Sequence, residues 1–212
     1  MVIYGVPGLG ADERVFACLG VDIQPIRWIK PAPEDTLASY AFKLIPQIDQ
    51  SSPYILLGVS FGGMLVSEMS KYINPYKVIL ISSVAASCEL PRSLRLLRAL
   101  PKGLLNWSVN RLHPPPAFIM NKVFGVNSRS GQHLLQMIIK ETDVSFMTWA
   151  IHSILHWQNT SIPENLIRIH GSADRLLPPP SSAYIKVEGG GHFMIVEEAE
   201  LIKTLIHQQM NK

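Results

Sequence analysis

Gly58-Val59-Ser60-Phe61-Gly62 follows the apolar run Ile55-Leu56-Leu57 and precedes Met64-Leu65-Val66-Ser67-Glu68-Met69, whose apolar positions have helical spacing. The stretch therefore reads as strand, sharp turn and helix, with a serine at the bend. Such a turn pushes the serine hydroxyl out beyond the carboxyl edge of a sheet and strains its backbone. The flanking glycines fit because a Cβ there would strike the turn or its neighbours. The G-x-S-x-G string carries weight here because its strand-turn-helix setting accompanies it.

A serine hydroxyl is a weak nucleophile at neutral pH and needs a base, which in turn needs an orienting group. Two later segments can supply them. Leu166-Ile167-Arg168-Ile169-His170-Gly171 reads as a strand running into Ser172-Ala173-Asp174, so Asp174 falls just past a strand end. Ala183-Tyr184-Ile185-Lys186-Val187 reads as another strand, followed by Glu188-Gly189-Gly190-Gly191 and then His192. The order Ser60, Asp174, His192 is that of one of the three well-known triad arrangements. Glu188 is a rival to Asp174 as the acid.

These three motifs, in order and spacing, resemble the α/β-hydrolase superfamily along nearly the whole chain. The resemblance implies a mostly parallel central sheet with helices on both faces. It also implies nucleophile, acid and base roles for Ser60, Asp174 and His192. The oxyanion hole should use two backbone N–H groups: that of Phe61, after the nucleophile, and one from the loop after the first strand. In the loop Pro7-Gly8-Leu9-Gly10-Ala11-Asp12, Pro7 stands where the family often has His, and Leu9 is the expected donor. The superfamily spans esterases, lipases, thioesterases, C–C bond hydrolases and dehalogenases, and some members have lost catalysis. The resemblance requires no metal and no organic cofactor.

Among the seven histidines, His192 is the one expected to act as base. His152 and His156 lie four apart on an expected helix but without the H-E-x-x-H glutamate, so they read as a packed face. His113 and His207 read as solvent-facing, and His170 as holding the turn before Asp174. The glycine loops lack the spacing of dinucleotide or phosphate-binding motifs.

Alternation of strand and helix patterns indicates a parallel sheet. Strands are expected near 2–6, 21–28, 53–58, 77–82, 166–170 and 183–187, and helices near 12–19, 35–50, 61–73 and 194–210. The interval between strands at 77–82 and 166–170 is too long for one crossover. The chain thus reads as a single α/β-hydrolase domain over 1–212 with a helical insertion at about 84–160, which in the resembling family caps the nucleophile. Within it Leu94, Leu97 and Leu100 share one helical face, Leu134, Leu135, Ile138 and Ile139 form another stripe, and a last helix runs from Val144 to Trp157. The insertion holds eight basic against three acidic side chains, a balance of +5, with Arg92, Arg95 and Arg98 on one ridge.

The 212 residues, 47% of them hydrophobic, can build one substantial core. A net charge of +3 carries no nucleic-acid footprint. Cys18 and Cys88 suggest no disulfide framework. The N-terminus does not resemble a signal peptide and no apolar run is long enough to span a bilayer, so a cytoplasmic enzyme is expected. The expected activity is hydrolysis of an ester or thioester of a small or medium acyl group through an acyl-enzyme. Three rivals stay open: a C–C bond hydrolase or lyase-like enzyme on an anionic substrate, a non-catalytic ligand-binding member of the fold, and a lipase using the basic ridge at a membrane surface. The oligomeric state is open.

Overall fold

Parallel strands buried on both faces should read as continuous apolar runs, and the central strand does. The computed structural model describes residues 1–97 and 115–210, without the side chains of 95–97. Its strands are β1 (Val2–Val6), β2 (Ile23–Pro25), β3 (Tyr54–Val59), β4 (Lys77–Ile81), β5 (Leu166–Gly171) and β6 (Ile185–Val187). They form one sheet in the order β2-β1-β3-β4-β5-β6, every neighbouring pair parallel. All six residues of β3 are buried.

The helices are α1 (Arg14–Ala17), α2 (Leu37–Leu44), α3 (Phe61–Met69), α4 (Arg92–Leu97), α5 (Ala117–Phe124), α6 (Arg129–Glu141), α7 (Val144–Leu155), α8 (Met194–Glu197) and α9 (Ala199–Met210). Alternate strand residues face opposite sides, so the sheet separates two cores. Tyr4, Leu56 and Leu80 pack with α2, α3 and Ala150 of α7. Ile55, Leu57 and Ile79 pack with α1, α8, α9 and with Leu135 and Ile138 of α6. Fully burying a side chain of this kind is worth about 1.5–3 kcal/mol.

The six strands and four helices expected outside the insertion are present, and their ends differ for local reasons. The helix expected over 35–50 is α2 followed by a 3-10 turn, Ile45–Gln47. Pro46 offers no N–H to continue the ladder to Phe42 O, so the α-helix ends there. Thr36 caps the start of α2, accepting from Ser39 N. β2 is shorter than the expected 21–28, since it lies on the edge and pairs only with β1. The last helix is broken at Glu198 into α8 and α9.

The described part of the insertion holds α4 to α7, and the stripe of Leu134, Leu135, Ile138 and Ile139 lies on α6 against the second core. Arg98 and Leu100, together with His113, lie outside the described residues. No helix among the described residues is long and apolar enough to cross a membrane.

The turn after β3 constrains the sequence most. A Cβ on Gly62 would fall on the carbonyl oxygens of Val6 and Pro7, which are backbone atoms with no freedom to turn away. Gly62→Ala is expected to destabilise the fold by about 3 kcal/mol, read as a lowered midpoint in urea unfolding; a midpoint equal to the parent's would show that β1 and α3 are not locked this closely.

Candidate active site

β3 delivers Ser60 into the turn, and α3 begins at the next residue. Ser60 has φ 51° and ψ −120°, a conformation that a residue bearing a Cβ rarely adopts. Three hydrogen bonds to its backbone hold it there, two from the main chain and one from a side chain. Ser60 N donates to Ile81 O at 3.0 Å, Gly63 N donates to Ser60 O at 3.0 Å, and the Ser83 hydroxyl donates to Ser60 O at 2.5 Å. A Cβ on Gly58 would strike the backbone of Gly62 and Gly63, and one on Gly63 would strike Ser83. The G-x-S-x-G string therefore extends by one functional glycine, and Gly63 directly after Gly62 was its visible signal.

Asp174 lies just past the end of β5. Its Oδ1 accepts from Leu176 N and Leu177 N, both at 2.9 Å. Its Oδ2 accepts from His192 Nδ1 at 2.8 Å and lies 3.4 Å from His170 Nε2. The side chain is wholly buried. Burial pushes the carboxyl's pKa up, but hydrogen bonds from His170 and His192, with the charge attraction of His192, outweigh it and hold the group well below its ordinary 3.8. His170 is buried and holds the turn, Nε2 donating to Leu177 O at 2.8 Å. Glu188, the rival acid, is largely exposed and paired with Lys186.

His192 follows the glycine loop after β6. Ser172 N donates to Val187 O and Ala173 N to Gly190 O, which ties the acid and histidine loops together. Gly191 packs against Gly125, leaving no space for a Cβ on either. The imidazole is buried, and its Nε2 lies 2.8 Å from Ser60 Oγ. An ionised carboxylate only accepts hydrogen bonds, so Nδ1 donates to Asp174 and Nε2 is left to accept the serine proton. Three side chains far apart in sequence thus converge in one hydrogen-bonded line.

The expected oxyanion donors lie on either side of Ser60. Phe61 opens α3, so its N–H precedes the helix's own ladder. Ala11 N donates to Gly8 O at 3.0 Å, closing a turn over Leu9 and Gly10, and Leu9 N makes no backbone bond among the described residues. A Cβ on Gly8 would stand 3.5 Å from Ser60 Cβ, which places this loop beside Ser60. The Trp28 indole N–H donates to Ala11 O at 2.7 Å and steadies the loop.

Aromatic rings surround this corner. The Phe61 ring centroid lies 6.0 Å from that of Trp28, 6.5 Å from Phe146 and 6.2 Å from Trp149. Phe124 meets the His192 ring edge-on at 5.6 Å. Phe124, Phe146 and Trp149 come from the insertion, and no local motif marked them. The His152 and His156 rings stack at 4.1 Å on α7 and its end. They line a separate groove of about 610 Å³ with Asp35, Glu68 and Trp157, and none of Ser60, Asp174 and His192 lines it.

Two outcomes follow from this geometry. Ser60→Gly and Ser60→Ala both remove the hydroxyl, but only glycine removes the strained Cβ. The glycine variant is expected to be the more stable of the two by about 1 kcal/mol in urea unfolding; equal stabilities would show that the turn is unstrained. Asp174 has a folded pKa below its unfolded one, so its contribution to stability is present above about pH 4 and fades as the pH falls towards the folded value. The stability deficit of Asp174→Asn should therefore be largest at neutral pH and shrink on acidification. A deficit that stays constant down to about pH 2 would contradict the hydrogen-bonded carboxylate.

No protein-family model and no curated protein matches this chain by sequence. Solved structures do match it in shape. MenH from S. aureus aligns over 100% of this chain and 93% of its own, with a TM-score of 0.72 and 15% identity. A lipase-esterase related protein from Clostridium acetobutylicum aligns over 98% and 93%, with a TM-score of 0.69 and 18% identity. A thermophilic esterase from Thermogutta terrifontis aligns over 100% and 89%, with a TM-score of 0.67 and 15% identity. At such identities the likeness is one of architecture. With its parallel sheet, its glycine-locked serine turn and these neighbours, the chain has the α/β-hydrolase fold.

Proposed function

We propose that the protein is a serine hydrolase that cleaves an ester or thioester of a small or medium acyl group. The observation that carries this reading is the His192 imidazole, held at 2.8 Å from both the Ser60 hydroxyl and the Asp174 carboxylate. In the proposed cycle Ser60 Oγ attacks the carbonyl carbon while His192 Nε2 takes its proton. The resulting oxyanion lies against the N–H groups of Phe61 and Leu9. One such donor is worth about 3 kcal/mol of barrier. The carbonyl re-forms, the leaving group departs with the proton from His192, and an ester on Ser60 remains. Water then attacks that ester, giving its proton to His192, and the acid is released as Ser60 regains its hydrogen. Asp174 holds the tautomer and stabilises the imidazolium in both halves.

The same reading takes the insertion as a cap whose aromatic side chains favour an apolar acyl group. Phe146 and Trp149 pack on Phe61, next to the nucleophile. An esterase and a lipase-esterase related protein among the structural neighbours point the same way, as an analogy of fold. The reading also carries a small-molecule substrate, no cofactor and a cytoplasmic location.

A fluorophosphonate probe tests the nucleophile. Peptide mapping should place the adduct on Ser60, and Ser60→Ala should lose both the adduct and hydrolysis of p-nitrophenyl esters, by at least about 10³-fold. An unlabelled protein, or a Ser60→Ala variant as active as its parent, would overturn the proposal. Turnover of an anionic diketone with no turnover of esters would move the chemistry to C–C bond cleavage by the same residues.

A further inference from the structure

α6 touches both sides of the proposed site without supplying a residue to it. At its N-terminal end stands Glu197, five residues after His192. The Glu197 carboxylate accepts from Asn127 N and Ser128 N, each at 2.9 Å, and from the Ser128 hydroxyl at 2.5 Å. Ser128 is the cap of α6 and itself accepts from Gly131 N. The carboxylate thus sits where the helix dipole favours negative charge. The same junction is stitched by Phe193 N donating to Phe124 O at 2.9 Å and by the Gly125–Gly191 contact.

At the other end, Glu141 accepts from Arg14 at 2.5 Å, and Arg14 also grips Asp12, the last residue of the Leu9 loop. Thr142 follows directly. Its Oγ1 donates to Ile138 O at 2.6 Å, closing the last turn of α6, and its side chain fills the space over Gly10. Gly10 has φ +73° and could not carry a Cβ under Thr142. The Arg14–Glu141 pair is partly exposed and contributes little by itself. The packed Thr142–Gly10 contact is the firmer joint. Between its ends α6 is backed by buried Leu135 and Ile138. Its 13 residues span about 20 Å.

We infer that α6 is a strut that fixes the oxyanion loop relative to the His192 segment, with Glu197 and Thr142 as the positioning residues at its two ends. Its catalytic consequence rests on the proposed hydrolase reading, while its structural consequence does not. Loosening either end lets the distant loop move, because both loops are referenced to one rigid helix. A purely local role predicts the opposite: each contact would steady only the segment it touches.

Hydrogen exchange of the intact protein separates these cases. In Glu197→Ala, amides of Gly8–Asp12 should exchange about fivefold faster, the scale of losing one helix cap. In Thr142→Ala, the same rise should appear in Gly189–Phe193, at the far end. Glu197→Gln keeps an oxygen acceptor for Asn127 and Ser128 and should stay near the parent; if the Glu197 alanine variant fails to fold, Thr142→Ala carries the test through the reciprocal arm. On a p-nitrophenyl ester both alanine variants should lower kcat with KM little changed, and the double variant should lose no more than the worse single one. Exchange changes confined to each variant's own end would overturn the strut. A parent protein that takes up no fluorophosphonate would instead remove the hydrolase reading and leave the exchange result to stand alone.

Discussion

The constraint on which the rest depends is the close approach of the β3–α3 turn to its neighbours. Ser60 is held at φ 51°, outside the comfortable range for a side-chain-bearing residue. Strain of this kind costs about 1–3 kcal/mol and survives only where surrounding structure over-determines it. Here β3 is buried along its whole length, and Gly58, Gly62 and Gly63 let three backbone segments meet without a Cβ between them. Ser82, at the end of the adjacent strand, also has positive φ, 49°, and the next residue, Ser83, reaches back to hold Ser60 O. The strain is therefore distributed over two neighbouring strand ends.

Parallel topology then does the assembling. Because every strand runs the same way, the carboxyl ends of β1, β3, β5 and β6 share one edge, where ligand sites of open α/β sheets form. The Leu9 loop, Ser60, Asp174 and the His192 segment leave from those four ends in turn. Asp174 illustrates how far the edge is organised. Two backbone N–H groups fix one carboxylate oxygen, and His192 engages the other beside the second imidazole, His170. A carboxylate so held cannot drift, and the imidazole tautomer follows from it.

Ser60, Asp174 and His192 were legible because each sits in a short segment whose own chemistry, a strand ending in glycine-rich turns, gives it away. The six strands were legible for the same reason, as apolar runs between turn signals. What stayed hidden depends on distant partners. Nothing near Thr142 in the sequence announces Gly10, and nothing near Glu197 announces Ser128. Nor does Phe124 carry a local mark of its place against His192. Those contacts exist only once the insertion is packed. The ends of α2 and β2 slipped for a related reason: Pro46 shortens the helix locally, and an edge strand has one partner to define it rather than two.

The described helices between β4 and β5 divide between the two cores. α6 joins the core on the α1, α8 and α9 side of the sheet, through Leu135 and Ile138. α7 joins the opposite core, through Ala150 with Phe146 and Trp149 packed against it. A chain that serves both faces must cross the sheet's edge between them, and Thr142 does so directly above Gly10 of the loop after β1. This crossing adds a second constraint on a glycine that the turn's positive φ already favours. It also divides the mouth of the site into a side set by α5 and α6 around His192 and a side set by α7 around Phe61. Each half is anchored in its own core, so neither can swing away without exposing buried apolar surface.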